Sequence, residues 1–246
     1  MASLRDPLTA VFLHIGNSPF PAALLVRSIR KFNPKARILQ CSDRTTPAVE
    51  GVDEICRIDG DATRLMTFRL KSFAEIGLQT PALYLDTDML VVQPIDPAAL
   101  LGDCDVAVCG REYGRMSPFN TSLSFGGLDL SEYSGKTLGE VYPYLACTTA
   151  TRDNAFWRDC LDNLNELDAK FHIWYGDQEA MRNVLDSGRY RFLTLSESVF
   201  GYLPGEKPDT SSPSKIYHFK GQARKNLMAP YAHHLGLIAD PRNPHR

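Results

Sequence analysis

The stretch Pro81-Ala82-Leu83-Tyr84-Leu85-Asp86-Thr87-Asp88-Met89-Leu90-Val91-Val92 decides how this chain is read. Two carboxylates stand one residue apart inside an otherwise apolar run. The run is short, aliphatic and opened by a proline, and it reads as a buried strand over Leu83 to Val92. An ionised carboxylate leaving water at such a place is costly unless a cation or a hydrogen-bond network meets it. The placement therefore points to a metal, and carboxylate oxygens suit hard cations such as Mg²⁺ and Mn²⁺. Open α/β sheets bind ligands at the carboxyl ends of their strands. The competing reading is a polar turn between two short strands.

Working towards the N-terminus, strands and helices alternate. Ala10 to Ile15 reads as a strand. Pro21 to Phe32 reads as a helix with Leu24, Leu25 and Ile29 on one face, stopped by Asn33-Pro34. Arg37 to Cys41 and Val52 to Ile58 read as strands. Ala62 to Ile76 reads as a helix striped by Leu65, Phe68, Phe73 and Ile76 and closed by Gly77. This βαββαβ run predicts an α/β fold, Rossmann-like, with a mixed, mostly parallel sheet flanked by helices. Beyond the aspartates the sequence predicts strands at Asp105 to Cys109, Ser122 to Phe125, Arg191 to Leu195 and Lys215 to Phe219. Helices are expected at Arg152 to Leu167 and Asp177 to Leu185. Pro204 to Pro213 is the only linker-like segment, and no repeat interrupts the pattern, so a single domain over residues 1–246 is expected.

The bulk numbers exclude several classes. A chain of 246 residues, 43% hydrophobic and 23% charged, is ordinary globular material with enough length for a sizeable core. A net charge of -2 carries no basic excess for nucleic acid. No apolar run is long enough to span a membrane, which leaves only peripheral membrane contact open. Met1 to Asp6 has no apolar leader core. The six cysteines form no CxxC pair and match no zinc spacing. Free thiols in a reducing, cytoplasmic compartment are expected.

Three further segments carry candidate chemistry. In Lys215-Ile216-Tyr217-His218-Phe219-Lys220-Gly221-Gln222-Ala223-Arg224-Lys225, a histidine near a strand end is followed by a glycine and a cluster of cations. Imidazole can complete a coordination shell begun by Asp86 and Asp88. Gly221 allows close approach of backbone to a phosphate, and Arg224 or Lys225 can neutralise a diphosphate. Taken alone, His218 is more often a core histidine and the cations a solvated face. In Trp174-Tyr175-Gly176-Asp177-Gln178, Asp177 opens a helix, and N-capping alone accounts for such an aspartate about half the time. Phe119-Asn120-Thr121-Ser122 heads a strand with groups that bind hydroxyls. Arg69 and Lys71 lie on the helix before the aspartate strand, as a solvated face or as contacts to a sugar or phosphate.

Together these segments resemble the GT-A fold glycosyltransferases, within them the retaining family 8 group that includes bacterial lipopolysaccharide galactosyltransferases and glycogenin. The resemblance runs from Val11 to about Lys225. Leu83 to Asp88 resembles that family's strand-borne Asp-x-Asp motif, which binds Mn²⁺ and the donor diphosphate. Arg69 stands where the family keeps an arginine near the donor sugar. Phe119-Asn120-Thr121-Ser122 is similar to its sugar-contacting segment, with Ser122 in place of the common glycine. Gly176-Asp177-Gln178 resembles its Asp-Gln pair beside the anomeric carbon. His218 with Gly221 resembles its HxxG segment, whose phosphate lysine falls here on Arg224, beside Lys225. The family often has an acidic residue after the first strand for the base; here the run is His14-Ile15-Gly16-Asn17.

The resemblance implies transfer of a sugar from a nucleotide diphosphate sugar, UDP-linked, to a hydroxyl acceptor on a glycan, lipid or protein, with retention of anomeric configuration. It implies Asp86, Asp88 and His218 as ligands of Mn²⁺ or Mg²⁺, and Asp177 and Gln178 at the reacting sugar. It implies Arg69, Lys71, Asn120, Ser122, Gly221, Arg224, Lys225, His14 and Asn17 along the donor. The nucleotide-binding half then covers about residues 8–100, the acceptor half about 101–230, and a tail 231–246. Two alternatives stay open. A haloacid-dehalogenase-type phosphatase also ends a strand in Asp-x-Asp, although there the motif usually opens the chain and about eighty residues precede this one. A sugar-nucleotide-binding protein without transfer activity is the other.

Overall fold

The structure is a computed structural model that describes residues 7–121, 130–172, 174–208 and 212–239. Its elements in chain order are β1 (Thr9–Leu13), α1 (Phe20–Phe32), β2 (Arg37–Ser42), β3 (Glu54–Arg57), α2 (Leu65–Glu75), β4 (Ala82–Leu85), β5 (Met89–Val91), α3 (Pro97–Leu101) and β6 (Val106–Gly110). There follow α4 (Leu138–Val141), β7 (Tyr144–Thr151), α5 (Ala155–Glu166), α6 (Gly176–Asp186), β8 (Phe192–Leu195), α7 (Glu197–Phe200), β9 (Ile216–His218), α8 (Gln222–Lys225) and α9 (Met228–His234).

Seven strands form the main sheet in the order β3-β2-β1-β4-β7-β6-β8. Only β7 runs against the others; β4 and β6 both pair with it antiparallel, while β1, β2, β3 and β4 pair in parallel and β8 pairs in parallel with β6. Successive side chains of β4 point to opposite faces, so Ala82 and Tyr84 join one core and Leu83 and Leu85 the other. The first core takes Phe73 of α2, Trp157 and Cys160 of α5, and Ala180 and Met181 of α6. The second takes Leu25, Val26 and Ile29 of α1 and Leu101 of α3. Helix α1 has a proline in its first turn, where the missing N–H costs nothing, and Arg30 and Lys31 in its last turn, favoured by the helix dipole. It stops at Asn33, ahead of Pro34. No helix among the described residues is long and apolar enough to cross a membrane.

The run Leu83 to Val92 is two strands rather than one. Strand β4 ends at Leu85, and β5 leaves the main sheet to pair antiparallel with β9, Met89 opposite His218. Asp86-Thr87-Asp88 is the break between them, so the backbone follows the competing polar-turn reading. Strand β7 has no counterpart in the sequence reading. Its Tyr144-Leu145-Ala146-Cys147-Thr148-Thr149-Ala150-Thr151 is buried on both faces apart from Tyr144 and carries no alternation. Residues 231–246 are not wholly a tail: α9 extends to His234, with Tyr231 and Ala232 buried and Tyr231 packed on Tyr217 and Phe219. The segment Ser122 to Phe125 lies outside the described residues.

Trp157 is the centre of the first core. It is fully buried, with the rings of Phe73, Tyr84 and Phe156 at 5.1, 4.9 and 5.1 Å. This cluster presses α2 and α5 onto β4 and so fixes the strand end that carries Asp86. Trp157→Ala should destabilise the fold by about 3–5 kcal/mol in urea unfolding, and a loss under about 1 kcal/mol contradicts this packing.

Candidate active site

Strand β1 lies between β2 and β4 in the sheet, so the chain leaves it to one side and returns on the other. Such a switch point opens a crevice at the carboxyl ends of the strands. Asp86 follows β4 there directly. Its amide donates to the Cys147 carbonyl of β7 at 3.1 Å. Two residues on, the Asp88 carbonyl accepts the Phe219 amide at 2.8 Å. The turn is thus held by a different strand at each end, and β9 delivers His218 against it.

Three basic side chains meet the carboxylates, and a fourth lines the cleft. Arg69 of α2 reaches Asp86 Oδ1 at 2.6 Å and Asp177 Oδ2 at 3.2 Å, and donates to the Ala146 carbonyl at 2.7 Å. His218 Nε2 stands 3.5 Å from Asp88 Oδ1, and Lys225 Nζ stands 3.3 Å from Asp88 Oδ2. Lys220 lines the same cleft. Burial pushes the Asp86 carboxyl above its ordinary range despite Arg69. Burial acts on Asp88 in the same sense, but His218 and Lys225 outweigh it and hold that carboxyl low. Burial lowers the His218 imidazole, and the facing Cys147 sulfur and Asp88 overcome this, pushing it up to about 10. Two carboxylates two residues apart therefore have opposite proton affinities.

Asp86, Asp88 and His218 are the one group of metal-ligating side chains found among the described residues, with ligand atoms all within 4.8 Å of one another. Two carboxylate oxygens and an imidazole nitrogen suit Mn²⁺ or Mg²⁺, and a set of three leaves room for oxygens of a bound diphosphate. The residues fit such an ion.

Helix α6 supplies the opposite wall. It begins at Gly176, with Tyr175 as its N-cap in the left-handed region (φ 60°) and no side-chain cap. Asp177 is therefore not the cap that an aspartate at a helix start suggests. It is buried, and its carboxylate takes Arg69 and the Gln178 amide, the latter at 2.8 Å. Gly176 is required: a Cβ there would meet the Phe171 carbonyl oxygen at 1.9 Å. Gln178 Oε1 accepts from the Arg111 guanidinium at 2.9 Å, and Arg111 also donates to the Tyr142 carbonyl at 2.7 Å. Arg111 is 7% exposed, and burial lowers its pKa. The sequence reading passed over it, because an arginine after a strand looks like a solvated end.

Among the other expected residues the structure selects. Lys225, and not Arg224, turns into the cleft; Arg224 is exposed and is not among its walls. Lys71 faces away, bonded to the Asp59 carbonyl and 3.5 Å from Glu75. Residues two apart on a helix are separated by about 200°, so Arg69 and Lys71 cannot share a target. Gly221 lines the cleft with φ +82° and no atom within 4 Å of an added Cβ, as a backbone approached by a ligand requires. His14 is buried just past β1 and Asn17 is exposed beyond it; neither lines the cleft. Asn120 is exposed and outside the cleft wall, and Ser122 lies outside the described residues.

The cleft measures about 390 Å³ and is walled by Arg69, Asp86, Asp88, Cys147, Trp174, Asp177, Gln178, His218 and Lys225 among others. A larger cavity of about 710 Å³, between Leu8, Ala36, Ile95 and Leu100, lies at the amino ends of the strands, away from this chemistry. No protein-family profile and no curated protein matches the sequence. Solved structures do match. The galactosyltransferase LgtC, solved with donor and acceptor sugar analogues, superposes with a TM-score of 0.56 at 14% identity, covering 96% of this chain and 99% of that one. This is the GT-A fold. The glycosyltransferase GlyE of Streptococcus pneumoniae matches with a TM-score of 0.54 at 14% identity over 92% of this chain, and the bifunctional glycosyltransferase WbbM with 0.55 at 15% over 90%. The chain spans 60% of GlyE and 47% of WbbM. In this GT-A domain the switch-point crevice holds Arg69, Asp86, Asp88, Asp177, His218, Lys220 and Lys225.

Arg69 is the shared counter-ion of the cleft, with a side chain 13% exposed against 6% for Asp177. Arg69→Met leaves two carboxylates facing each other uncompensated and should cost about 3–5 kcal/mol. Adding Asp177→Asn should restore part of that loss. Urea unfolding of the single and double variants checks this, and additive losses contradict the shared ion pair.

Proposed function

We propose that this protein is a metal-dependent glycosyltransferase that moves a hexosyl group from a UDP-linked donor to a hydroxyl acceptor with retention of configuration. One observation carries the reading: a cation-binding trio and the Asp177-Gln178 pair converge in one crevice at the switch point of a GT-A sheet. Asp86, Asp88 and His218 hold Mn²⁺ or Mg²⁺, which supplies Lewis-acid stabilisation of charge on the departing diphosphate. Lys225 stands beside Asp88. It serves as a counter-ion there and passes to the diphosphate when the donor enters. Gly221 lets the backbone approach the same phosphates. Arg69 holds the Asp177 carboxylate in place, so that Asp177 orients the donor sugar.

Retention is what the resemblance implies; given retention, the wall bears on how it is reached. The Asp177 carboxylate is already engaged by Arg69 and the Gln178 amide. Gln178 is a carboxamide held by Arg111, a poor nucleophile. The wall therefore favours attack by the acceptor on the face the diphosphate leaves over a covalent intermediate. The six cysteines are free, in keeping with a reducing compartment as the site of action.

Calorimetry with UDP should show binding that needs Mn²⁺ or Mg²⁺, and Asp88→Ala should abolish it while the melting temperature holds. Equal affinity in EDTA contradicts the metal assignment, and turnover of aryl phosphates instead of UDP-sugars contradicts the reaction. Asp177→Asn should leave UDP affinity unchanged and lower kcat at least a hundredfold, roughly 3 kcal/mol. Full transfer activity in Asp177→Asn removes Asp177 from the reaction.

A further inference from the structure

We infer that Arg111 fixes the carboxamide of Gln178 one way round, so that Gln178 meets a bound sugar through its Nε2, as a hydrogen-bond donor, and not through its oxygen. The inference rests on the glycosyltransferase reading and adds to it a positioning residue that lies outside the cleft wall. Gln178 lines the cleft and Arg111 does not. The two meet where Arg111 Nη2 donates to Gln178 Oε1 at 2.9 Å. A guanidinium has five N–H donors and no acceptor. Whatever faces it must accept, and of the two ends of a carboxamide only the oxygen does. With the oxygen taken, the amide nitrogen is turned away from Arg111. Among the described residues Gln178 Nε2 has no partner and is not sealed from solvent. It is the polar end that this residue shows to the cleft.

Arg111 is itself held on every side. Its backbone amide donates to the Pro143 carbonyl at 2.7 Å. The next two amides, of Glu112 and Tyr113, donate to Glu197 Oε2 at 2.6 and 2.7 Å, and Glu197 is buried. The chain on the far side of Arg111 is therefore pinned as firmly as β6 is before it. The side chain is pinned too, because Arg111 Nε donates to the Tyr142 carbonyl at 2.7 Å. The guanidinium is planar and rigid, so a bond at Nε and another at Nη2 leave its plane no freedom. Arg111 makes no ion pair among the described residues. A buried guanidinium without a carboxylate partner is costly. A glutamate at position 178 would supply that partner; the carboxamide found there gives the weaker contact and keeps two N–H groups for the cleft.

The chemistry follows from the orientation. A carboxamide oxygen facing a sugar carbon could attack it or stabilise positive charge on it. Here that oxygen is committed to a cation, which draws electron density from it and turns it from the cleft. Gln178 is thus barred from both roles by geometry as well as by its low basicity. What the cleft offers at this point is a pair of N–H groups, whose match is an oxygen lone pair on the sugar, from a hydroxyl or the ring. A residue that holds a sugar in this way acts on its position, and the effect appears in turnover more than in binding of the nucleotide.

Release of UDP from UDP-glucose, UDP-galactose and UDP-N-acetylglucosamine is measured with Mn²⁺ present, beside the calorimetric affinity for UDP and Mn²⁺. With the sugar nucleotide that the wild type cleaves, Arg111→Met should lower kcat at least about tenfold, equal to about 1.4 kcal/mol. Its affinity for UDP should stay within about twofold of the wild type's. Gln178→Ala should behave alike. The double variant should be no slower than the slower single one, because Arg111 acts through Gln178. Additive losses, or a loss of UDP affinity in Arg111→Met, overturn the inference and make Arg111 merely structural. Gln178→Glu tests the orientation with Arg111 intact: it keeps an oxygen against the guanidinium and lacks the N–H groups. It should be as slow as Gln178→Ala. A rate within about threefold of the wild type's overturns the inference, even where Arg111→Met does not fold. These outcomes leave the glycosyltransferase reading standing, whereas a wild type that releases UDP from none of the three overturns the two together.

Discussion

The structure depends on one guanidinium. Arg69 touches Asp86 at the end of β4, Asp177 in the first turn of α6 and the Ala146 carbonyl of β7, and it rises from α2 to do so. Four elements from distant parts of the chain are therefore held at one point. Each carboxylate alone would be costly to bury, and the arginine alone more so. Brought together they neutralise one another, but only while the sheet order that places β7 beside β4 is kept. The fold and the cleft are in this sense one constraint.

The second aspartate lives under different rules. Asp88 is tied through its backbone to Phe219 and through its carboxylate to His218 and Lys225, all from the last third of the chain. Asp86 therefore answers to the main sheet and Asp88 to the small β5–β9 pair. A cation held by both, as proposed, would join the two sheets and couple occupancy of the site to their relative position. The two carboxyls shift in opposite directions for a related reason: at Asp86 burial prevails over Arg69, whereas at Asp88 His218 and Lys225 prevail over burial.

Much of this was legible in the sequence. Apolar runs at β1 and β4 mark buried parallel strands, and the helices between them declare themselves by their stripes and stops. The convergence of Asp86, Asp88 and His218 was legible because two carboxylates and a histidine stand at strand ends in an apolar setting. What stayed hidden has physical reasons. Strand β7 is rich in small residues and threonine, with both faces buried, so it lacks the alternation that marks a half-exposed strand. The choice of Lys225 over Arg224 turns on a rotation of about 100° within one helical turn, which composition does not encode. The role of Arg111 becomes visible only when Gln178, in the first turn of α6, meets the residue that follows β6. The strand break at Asp86 to Asp88 was weighed against a continuous strand; the apolar flanks argued for continuity because each flank is indeed buried, in a different sheet.

The central claim is that Asp86, Asp88 and His218 together hold a divalent cation at the switch point. Crystals grown with Mn²⁺ and UDP and measured at the manganese absorption edge test it most directly. The account predicts an anomalous peak bounded by these three side chains, with the UDP phosphates against it and Arg69 still on Asp86. A peak elsewhere, or UDP bound in the cleft with no peak, would contradict it.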